Sequence, residues 1–101
     1  MNLLVEIDKT LSRLSNALDK LNRDEFECEE AEGKLTIEFE DGTKFIVSRQ
    51  SATNQIWLAE PNGGWKFDYK DGKWICDKRG VALEQALSDL LSQKIGESVS
   101  L

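Results

Sequence analysis

The strongest constraint on the fold comes from residues 54–69, where apolar and polar side chains alternate, the chain meets a glycine pair, and the alternation resumes. Ile56 and Leu58 recur at every second position, which is the period of a strand with one buried face. The Asn-Gly-Gly run at 62–64 tolerates the positive φ angles of a chain reversal. The stretch therefore predicts a β-hairpin, with Trp57 on the face opposite Ile56 and Leu58.

Trp57 is a very large side chain for the outer face of a hairpin. Exposed apolar surface of this size often marks a site where another protein binds. The alternative interpretation is that the ring lies flat beneath a neighbouring side chain or loop. The alternation alone leaves both interpretations open.

The rest of the chain predicts six short strands between two amphipathic helices. The first helix spans about residues 3–21, because leucine and isoleucine recur there at three and four residues. The second spans about residues 81–94 and stops at Gly96. Asp41-Gly42 and Asp71-Gly72 are two-residue hairpin signals. The alternating segments lie at about residues 25–30, 35–40, 43–48, 54–59, 65–69 and 73–77.

This order of elements predicts the fold class. Tight turns make consecutive strands antiparallel neighbours, and two helices with one apolar stripe each can cover one face of the sheet. The other face then stays in water. We therefore expect an α+β protein, a two-layer α/β sandwich of two helices on an antiparallel sheet of about six strands, with residues 1–101 forming a single domain.

The net charge of −6 is concentrated in one part of the chain. Residues 24–41 hold nine acids and one base, whereas acids and bases balance from residue 45 onward. Such a local excess suits cations or a basic protein partner and argues against nucleic acid, which requires a basic face. No apolar run approaches the ~18 residues of a membrane span, and the first residues, which lack a basic region, are not expected to form a signal peptide. We expect a bacterial cytoplasmic protein, unless a transit peptide has already been removed.

Several kinds of chemistry are disfavoured by what the sequence lacks. It has no histidine, and its two cysteines, Cys28 and Cys76, lie in predicted strands as small apolar residues. It has no phosphate-binding loop, Ser/His/Asp set or Cys-x-x-Cys motif. An EF-hand register from Asp19 would place Leu21 and Arg23 at ligand positions. A hydrolase or oxidoreductase is therefore not expected.

Several pieces of the sequence together resemble the frataxin family in its bacterial, CyaY-type form. The match runs in the family's order from about Leu11 to the C-terminus. The Gln-Ile-Trp-Leu-Ala and Trp-Ile-Cys-Asp segments are specific only in combination. The pieces are Leu35-Thr-Ile-Glu-Phe-Glu-Asp-Gly42, Asn54-Gln-Ile-Trp-Leu-Ala59, Gly63-Gly64 through Phe67-Asp68, and Trp74-Ile-Cys-Asp77, with Arg49-Gln50 between the first two.

The resemblance implies a function in iron–sulfur cluster assembly, as iron donor, as regulator of the cysteine desulfurase with its scaffold protein, or as both. It also implies weakly bound iron, Fe2+ or Fe3+, on an acidic ridge at the end of the first helix and the first strand. Lys20, Asn22 and Arg23 stand where bacterial relatives often have acids, which thins the ridge. By position, the metal residues are Asp19, Asp24, Glu25, Glu27 and Glu29.

The resemblance further implies that the open face of the sheet binds the desulfurase and scaffold. Animal relatives often carry arginine where this sequence has Lys66, and lysine cannot make the planar two-pronged contact of arginine. We expect a monomer, with iron-dependent oligomers left open. By position, the partner-binding residues are Gln50, Asn54, Gln55, Trp57 and Lys66.

The spacing of the acids limits how firmly they can hold an ion. Carboxylates suit hard cations such as iron, manganese, magnesium or calcium, so other divalent ions remain candidates. Glu25 and Glu27 would lie ~6.5–7 Å apart along a strand, too wide to chelate one ion without water. We therefore expect exchangeable binding. The alternatives are an acidic protein-binding module with incidental metal affinity, and an enzyme that oxidises ferrous iron on the ridge.

Overall fold

The computed structural model describes residues 2–101 as two helices and six strands in the predicted order. Helix α1 spans Leu3–Leu21 and helix α2 spans Leu83–Ile95. The strands are β1 (Phe26–Ala31), β2 (Lys34–Phe39), β3 (Lys44–Gln50), β4 (Gln55–Glu60), β5 (Gly63–Lys70) and β6 (Lys73–Cys76).

Helix α1 has the bounds that its apolar stripe predicts. Its first turn is capped by the Asn2 side chain, which accepts a hydrogen bond from the Leu4 N–H at 3.0 Å. It ends at Asn22, whose left-handed conformation (φ 50°) directs its N–H to the Asp19 carbonyl. The stripe is buried against the sheet at Ile7, Leu11, Leu14 and Leu18.

The six strands form one antiparallel sheet in sequence order, with both helices on the same face. Two-residue turns at 32–33 and 71–72, both with positive φ at each position, produce this simple order. The core lies between the layers, and the opposite face of the sheet is open. The predicted two-layer α/β sandwich is therefore confirmed. Its core is formed by the stripe of α1, by alternate strand residues such as Phe39, Val47, Ile56 and Phe67, and by Leu83, Leu87 and Leu91 of α2.

The prediction of a two-residue hairpin at Asp41-Gly42 is wrong, because residues 40–43 all lie outside the strands. Only Gly42 has a positive φ, and the Asp41 carboxylate accepts hydrogen bonds from the backbone and hydroxyl of Thr43 at 3.0 and 2.7 Å. Lys94 of α2 also donates to this carboxylate at 2.6 Å. The Lys94 ammonium, together with Thr43, holds the pKa of Asp41 well below its ordinary range.

Strand β3 ends two residues later than predicted. Arg49 and Gln50 were assigned to a connecting segment, yet Gln50 pairs with Gln55 of β4, and the Arg49 N–H donates to the Gly33 carbonyl at 2.8 Å. The side chain of Arg49 reaches α1, where it bonds both oxygens of Asp8 at 3.0 and 3.1 Å. Pairing with β4 therefore extends the strand beyond its apolar pattern.

Helix α2 begins two residues later than predicted, because the chain is still paired with β6. The Val81 carbonyl accepts from the Cys76 N–H at 2.8 Å, and Ala82 forms a bridge with Ile75. Ala82 is then the N-cap residue, and Gly96 ends the helix in a left-handed conformation, as predicted.

The C-terminal tail covers part of the core. Val99 is buried, and its N–H donates to the Ser92 hydroxyl at 2.8 Å. The Leu101 N–H donates to the Ser88 hydroxyl at 3.0 Å, so two serines of α2 dock the tail. Over residues 2–101, neither helix has the length and apolar character needed to cross a membrane.

Candidate functional site

The five predicted metal residues lie along one side of the molecule, at the end of α1 and along the edge strand β1. We call these residues the acidic edge. Glu27 and Glu29 project from β1 toward the open face, and all five side chains are exposed or half-buried. The acidic edge consists of Asp19 near the end of α1, Asp24 and Glu25 in the loop that follows, and Glu27 and Glu29 on β1.

Three of the five line one groove of about 360 Å³, together with two acids of the neighbouring hairpin arm. Glu27 stands directly opposite Glu38 in the β1–β2 register. Glu38 and Glu40 were not predicted as site residues. The sequence feature that could have indicated them is the two-residue turn at 32–33, because it sets the β1–β2 register and so places Glu38 opposite Glu27. The groove is lined by Asp24, Glu25, Glu27, Glu38 and Glu40, with Phe26 and Phe39 at its base.

Glu25 is the member of the acidic edge that already has a cation partner. Arg23 donates to its two oxygens at 3.1 and 2.9 Å, and the same guanidinium contacts Glu97 beyond α2. The Arg23 hydrogen bond lowers the pKa of Glu25, and Glu25 followed by Glu97 raises the pKa of Arg23. Arg23, which stands where bacterial relatives often have an acid, thus neutralises the charge of Glu25 by forming an ion pair with it.

Asp19 and Glu29 are not part of this groove. Asp19 lines a separate groove with Asn22, Glu27 and Cys28. Burial, and then the Asp19 charge, raise the pKa of the Cys28 thiol to about 11. Glu29 faces a third groove, where Lys34 and Lys44 also lie.

The acidic edge therefore does not converge on one centre. Within residues 2–101, no three carboxylate or thiol side chains lie close enough together to hold an ion. Asp24, Glu27, Glu38 and Glu40 form no ion pair with any residue in that range. An ion here would be held by one or two carboxylates and complete its shell with water. The metal assignment stays a prediction.

The predicted partner residues lie on the open face of the sheet or at its margin. Trp57 is half-buried on β4, between Ser48 of β3 and Lys66 of β5. The Lys66 ammonium lies over the indole at 5.0 Å from the ring centre. The ring therefore faces outward, as predicted, and the Lys66 side chain covers part of it, whereas binding of another protein at Trp57 stays a prediction.

Hydrogen bonds connect Trp57 to Gln55 on the same strand and, through Gln55, to Asp68 on β5. Its indole N–H donates to the Gln55 Oε1 at 2.9 Å, and the Gln55 Nε2 donates to Asp68 on β5 at 3.0 Å. Asp68 was not predicted as a site residue, although the alternation placed it on the same face as Lys66. We call Gln55, Trp57, Lys66 and Asp68 the Trp57 cluster.

The two remaining predicted partner residues lie beside this cluster. Gln50 ends β3 opposite Gln55, and its Nε2 donates to the Ser48 hydroxyl at 3.3 Å. Asn54 is exposed in the β3–β4 turn with a φ of 53°. The partner assignment of all five residues stays a prediction.

An open six-stranded antiparallel sheet backed by two helices, with an acidic edge, defines the class of small acidic α/β sandwiches. Residues 4–97 match the family model described as the frataxin-like domain. The chain therefore belongs to the frataxin family. Members of this family are generally not enzymes.

Solved structures from a bacterium and from yeast are similar over nearly the whole chain. The frataxin of Psychromonas ingrahamii, of the CyaY protein family, is 29% identical, with a TM-score of 0.88 over 99% of this chain and 97% of its own. Trimeric frataxin of Saccharomyces cerevisiae complexed with ferrous iron is 28% identical, with a TM-score of 0.80 over 91% and 87%. The yeast protein with its full-length N-terminus is also trimeric, with 28% identity and a TM-score of 0.79 over 91% and 80%.

Proposed function

We propose that this chain is an iron-binding protein of iron–sulfur cluster assembly, acting as iron donor, as regulator of the cysteine desulfurase–scaffold complex, or as both. The observation that carries the proposal is membership of the frataxin family over residues 4–97. The complex of yeast frataxin with ferrous iron supports an iron-related function. We place the protein in the bacterial cytoplasm and regard it as a binding protein without catalytic turnover.

The groove of the acidic edge supports the iron-binding part of the proposal. Its carboxylates are hard ligands suited to Fe2+ and Fe3+, and to other divalent cations. Asp24, Glu27, Glu38 and Glu40 form no ion pair within residues 2–101, so these carboxylates are available to a cation, whereas Arg23 occupies Glu25 of the same groove. Because the groove is open to water, the ion binds weakly and exchanges readily.

The open face supports the partner-binding part. Trp57 supplies an aromatic anchor of the kind that dominates protein interfaces, and polar residues surround it. The acidic edge can add a salt-dependent attraction to a basic surface of the partner. We expect a monomer and leave iron-dependent oligomers open, since the yeast relative complexed with ferrous iron is trimeric.

Calorimetric titration with ferrous iron under anaerobic conditions tests the metal site. The variant Asp24→Asn/Glu27→Gln removes two carboxylates of the groove and should weaken iron binding at least about ten-fold, or ~1.4 kcal/mol. The matched variant Asp77→Asn/Asp89→Asn removes the same two charges from exposed positions elsewhere and should bind like the unsubstituted protein. Equal loss in both variants would mean that only net charge matters.

Calorimetry with the desulfurase–scaffold complex, with and without ferrous iron, tests the regulatory role. Binding that changes with iron indicates an iron-responsive regulator, whereas binding indifferent to iron supports the alternative of a purely protein-binding acidic module. An absence of binding contradicts the proposed partner. Turnover of ferrous iron that Asp24→Asn/Glu27→Gln abolishes would instead support a ferroxidase.

A further inference from the structure

The Trp57 cluster contains a relay of hydrogen bonds that begins at a carboxylate. Asp68 on β5 accepts from the Gln55 Nε2 at 3.0 Å, and the Gln55 Oε1 accepts from the Trp57 indole N–H at 2.9 Å. Gln55 and Trp57 are two residues apart on β4 and therefore share the open face. Asp68 lies on the neighbouring strand one position beyond the Ile56–Phe67 pair, which brings it beside Gln55.

The two partners of Gln55 determine the orientation of its amide. An N–H group must meet the amide oxygen, and a carboxylate must meet the amide nitrogen, so the reversed orientation would set donor against donor and acceptor against acceptor. Asp68 therefore selects the orientation in which the Gln55 oxygen faces the indole. Without Asp68, only the indole N–H favours this orientation of the Gln55 amide, so the indole N–H has a less firmly held acceptor.

The relay also limits what the indole can offer to another molecule. The indole N–H is the only polar group of a tryptophan side chain, and here Gln55 already accepts from it. The Lys66 ammonium lies over one part of the ring, 5.0 Å from its centre. What remains available is the half-exposed aromatic surface.

We propose that Asp68 is a positioning residue for partner recognition: acting through Gln55, it orients Trp57 so that the partner contacts the aromatic surface of the indole. The matching group on the partner is apolar or planar, and it does not accept a hydrogen bond from the indole N–H. This proposal rests on the proposed function, because it assigns the Trp57 cluster to binding of the assembly partner. It adds a residue, Asp68, and a mode of contact to that function.

A pair of substitutions at Asp68 tests the relay without the partner. Asp68→Ala removes the acceptor, whereas Asp68→Asn keeps an oxygen that can accept from Gln55 and removes only the charge. In NMR spectra, the Trp57 indole proton should exchange with solvent about two-fold to ten-fold faster in Asp68→Ala, the range expected for losing one hydrogen-bond partner. In Asp68→Asn it should exchange as in the unsubstituted protein. Trp57→Phe identifies the signal among those of the three tryptophans.

Calorimetry with the desulfurase–scaffold complex provides the second measurement. Asp68→Ala should weaken binding about five-fold to ten-fold, while Asp68→Asn restores it and Asp77→Ala, an exposed acid outside the Trp57 cluster, leaves it unchanged. Thermal unfolding of each variant checks that the fold is intact.

Two results would overturn the positioning role. The first is unchanged indole exchange in Asp68→Ala, which would show that Asp68 does not hold the indole. The second is equal loss of affinity in Asp68→Ala and Asp68→Asn, which would show that the charge alone is recognised. A failure of the unsubstituted protein to bind the complex would instead overturn the proposed partner, and the indole measurement would still decide whether Asp68 orients Trp57.

Discussion

The acidic edge and the Trp57 cluster differ in how their side chains are held. In the Trp57 cluster, hydrogen bonds join the indole N–H to Gln55 and Gln55 to Asp68, and the Lys66 ammonium lies over the ring. In the acidic edge, only Glu25 is held by a cation within residues 2–101, and Glu27 faces a like charge on Glu38. The Trp57 cluster is held by its own hydrogen bonds, whereas most carboxylates of the acidic edge form no ion pair within residues 2–101.

This difference corresponds to two kinds of recognition. A surface with fixed orientations favours a partner of matching shape, because fewer side chains have to be ordered on binding. A surface of repelling carboxylates attracts any cation or basic group, with an energy that depends on salt. We therefore expect the Trp57 cluster to provide specificity and the acidic edge to provide exchangeable, salt-sensitive attraction.

The largest expected effect is on partner affinity when the aromatic anchor is removed. Trp57→Ala should reduce binding to the desulfurase–scaffold complex by ~2 kcal/mol or more, because truncation of a central aromatic residue removes most of its contact area. The loss should persist at high salt, and the fold should remain intact because Trp57 lies outside the core. Calorimetry at two salt concentrations and thermal unfolding measure these effects.

Trp65 is a matched control for this prediction. Its ring is stacked on Phe67 against the core, with the Arg79 guanidinium 3.5 Å from the ring centre. Trp65→Ala should therefore lower the free energy of unfolding and leave partner affinity largely unchanged. The roles assigned to the two rings would be reversed if Trp57→Ala unfolded the protein while Trp65→Ala stayed folded and bound the partner weakly.

A smaller effect is expected on stability when the facing carboxylates are separated. Glu27→Gln should raise the free energy of unfolding by ~0.2–1 kcal/mol at low ionic strength, because like charges directly opposite each other destabilise a strand pair. Glu27 is the better position, because Glu38 also stands opposite Lys44 on its other side. Salt or a divalent cation should stabilise the unsubstituted protein by a similar amount. A melting temperature insensitive to both would contradict the repulsion.

The smallest effect concerns the thiol beside the acidic edge. The pKa of Cys28 is raised to about 11 by burial and by Asp19, so its thiolate, the reactive form, should be scarce at pH 8. Asp19→Asn removes the second cause and should speed alkylation of Cys28 by about two-fold. A divalent cation bound near Asp19 should act in the same direction. Mass spectrometry can follow the labelling, with buried Cys76 as internal reference.

The raised pKa of Cys28 also gives a sign for the pH dependence of stability. The folded state holds this proton more tightly than the unfolded state, whose thiol has an ordinary value of 9.0. The corresponding stabilisation is complete below that value and is lost as the pH rises through about 11. Cys28→Ala should therefore flatten the alkaline decline in the free energy of unfolding.

Most of the fold could be predicted because local patterns and tertiary structure agree. The stripe of α1 and the positive-φ turns at 32–33 and 71–72 are local features that also satisfy the core. One exception is the turn after β2, where Asp41 binds Thr43 and Lys94 from α2. A side chain from a distant helix cannot be seen in a dipeptide signal, so the loop length was predicted incorrectly.

The candidate site could be predicted only in part, and the missing residues share one cause. Glu38 joins Glu27, and Asp68 joins Gln55, through the pairing of neighbouring strands. Residue types and alternation indicate which face a side chain is on, but contact across strands depends on register. The predicted ridge was therefore assigned without Glu38, and the predicted partner surface was assigned without Asp68.

For this protein, periodicity and turn chemistry were sufficient to predict the elements, their order and the face on which Trp57 lies, because each depends on neighbours within a few residues. Only the folded chain decided that Arg23 pairs with both Glu25 and Glu97, and that Gln55 is hydrogen-bonded to both Asp68 and the Trp57 indole. The physical reason is that hydrogen bonds and ion pairs act over a few ångströms in space, whereas the residues that they join here are up to 74 positions apart in the chain.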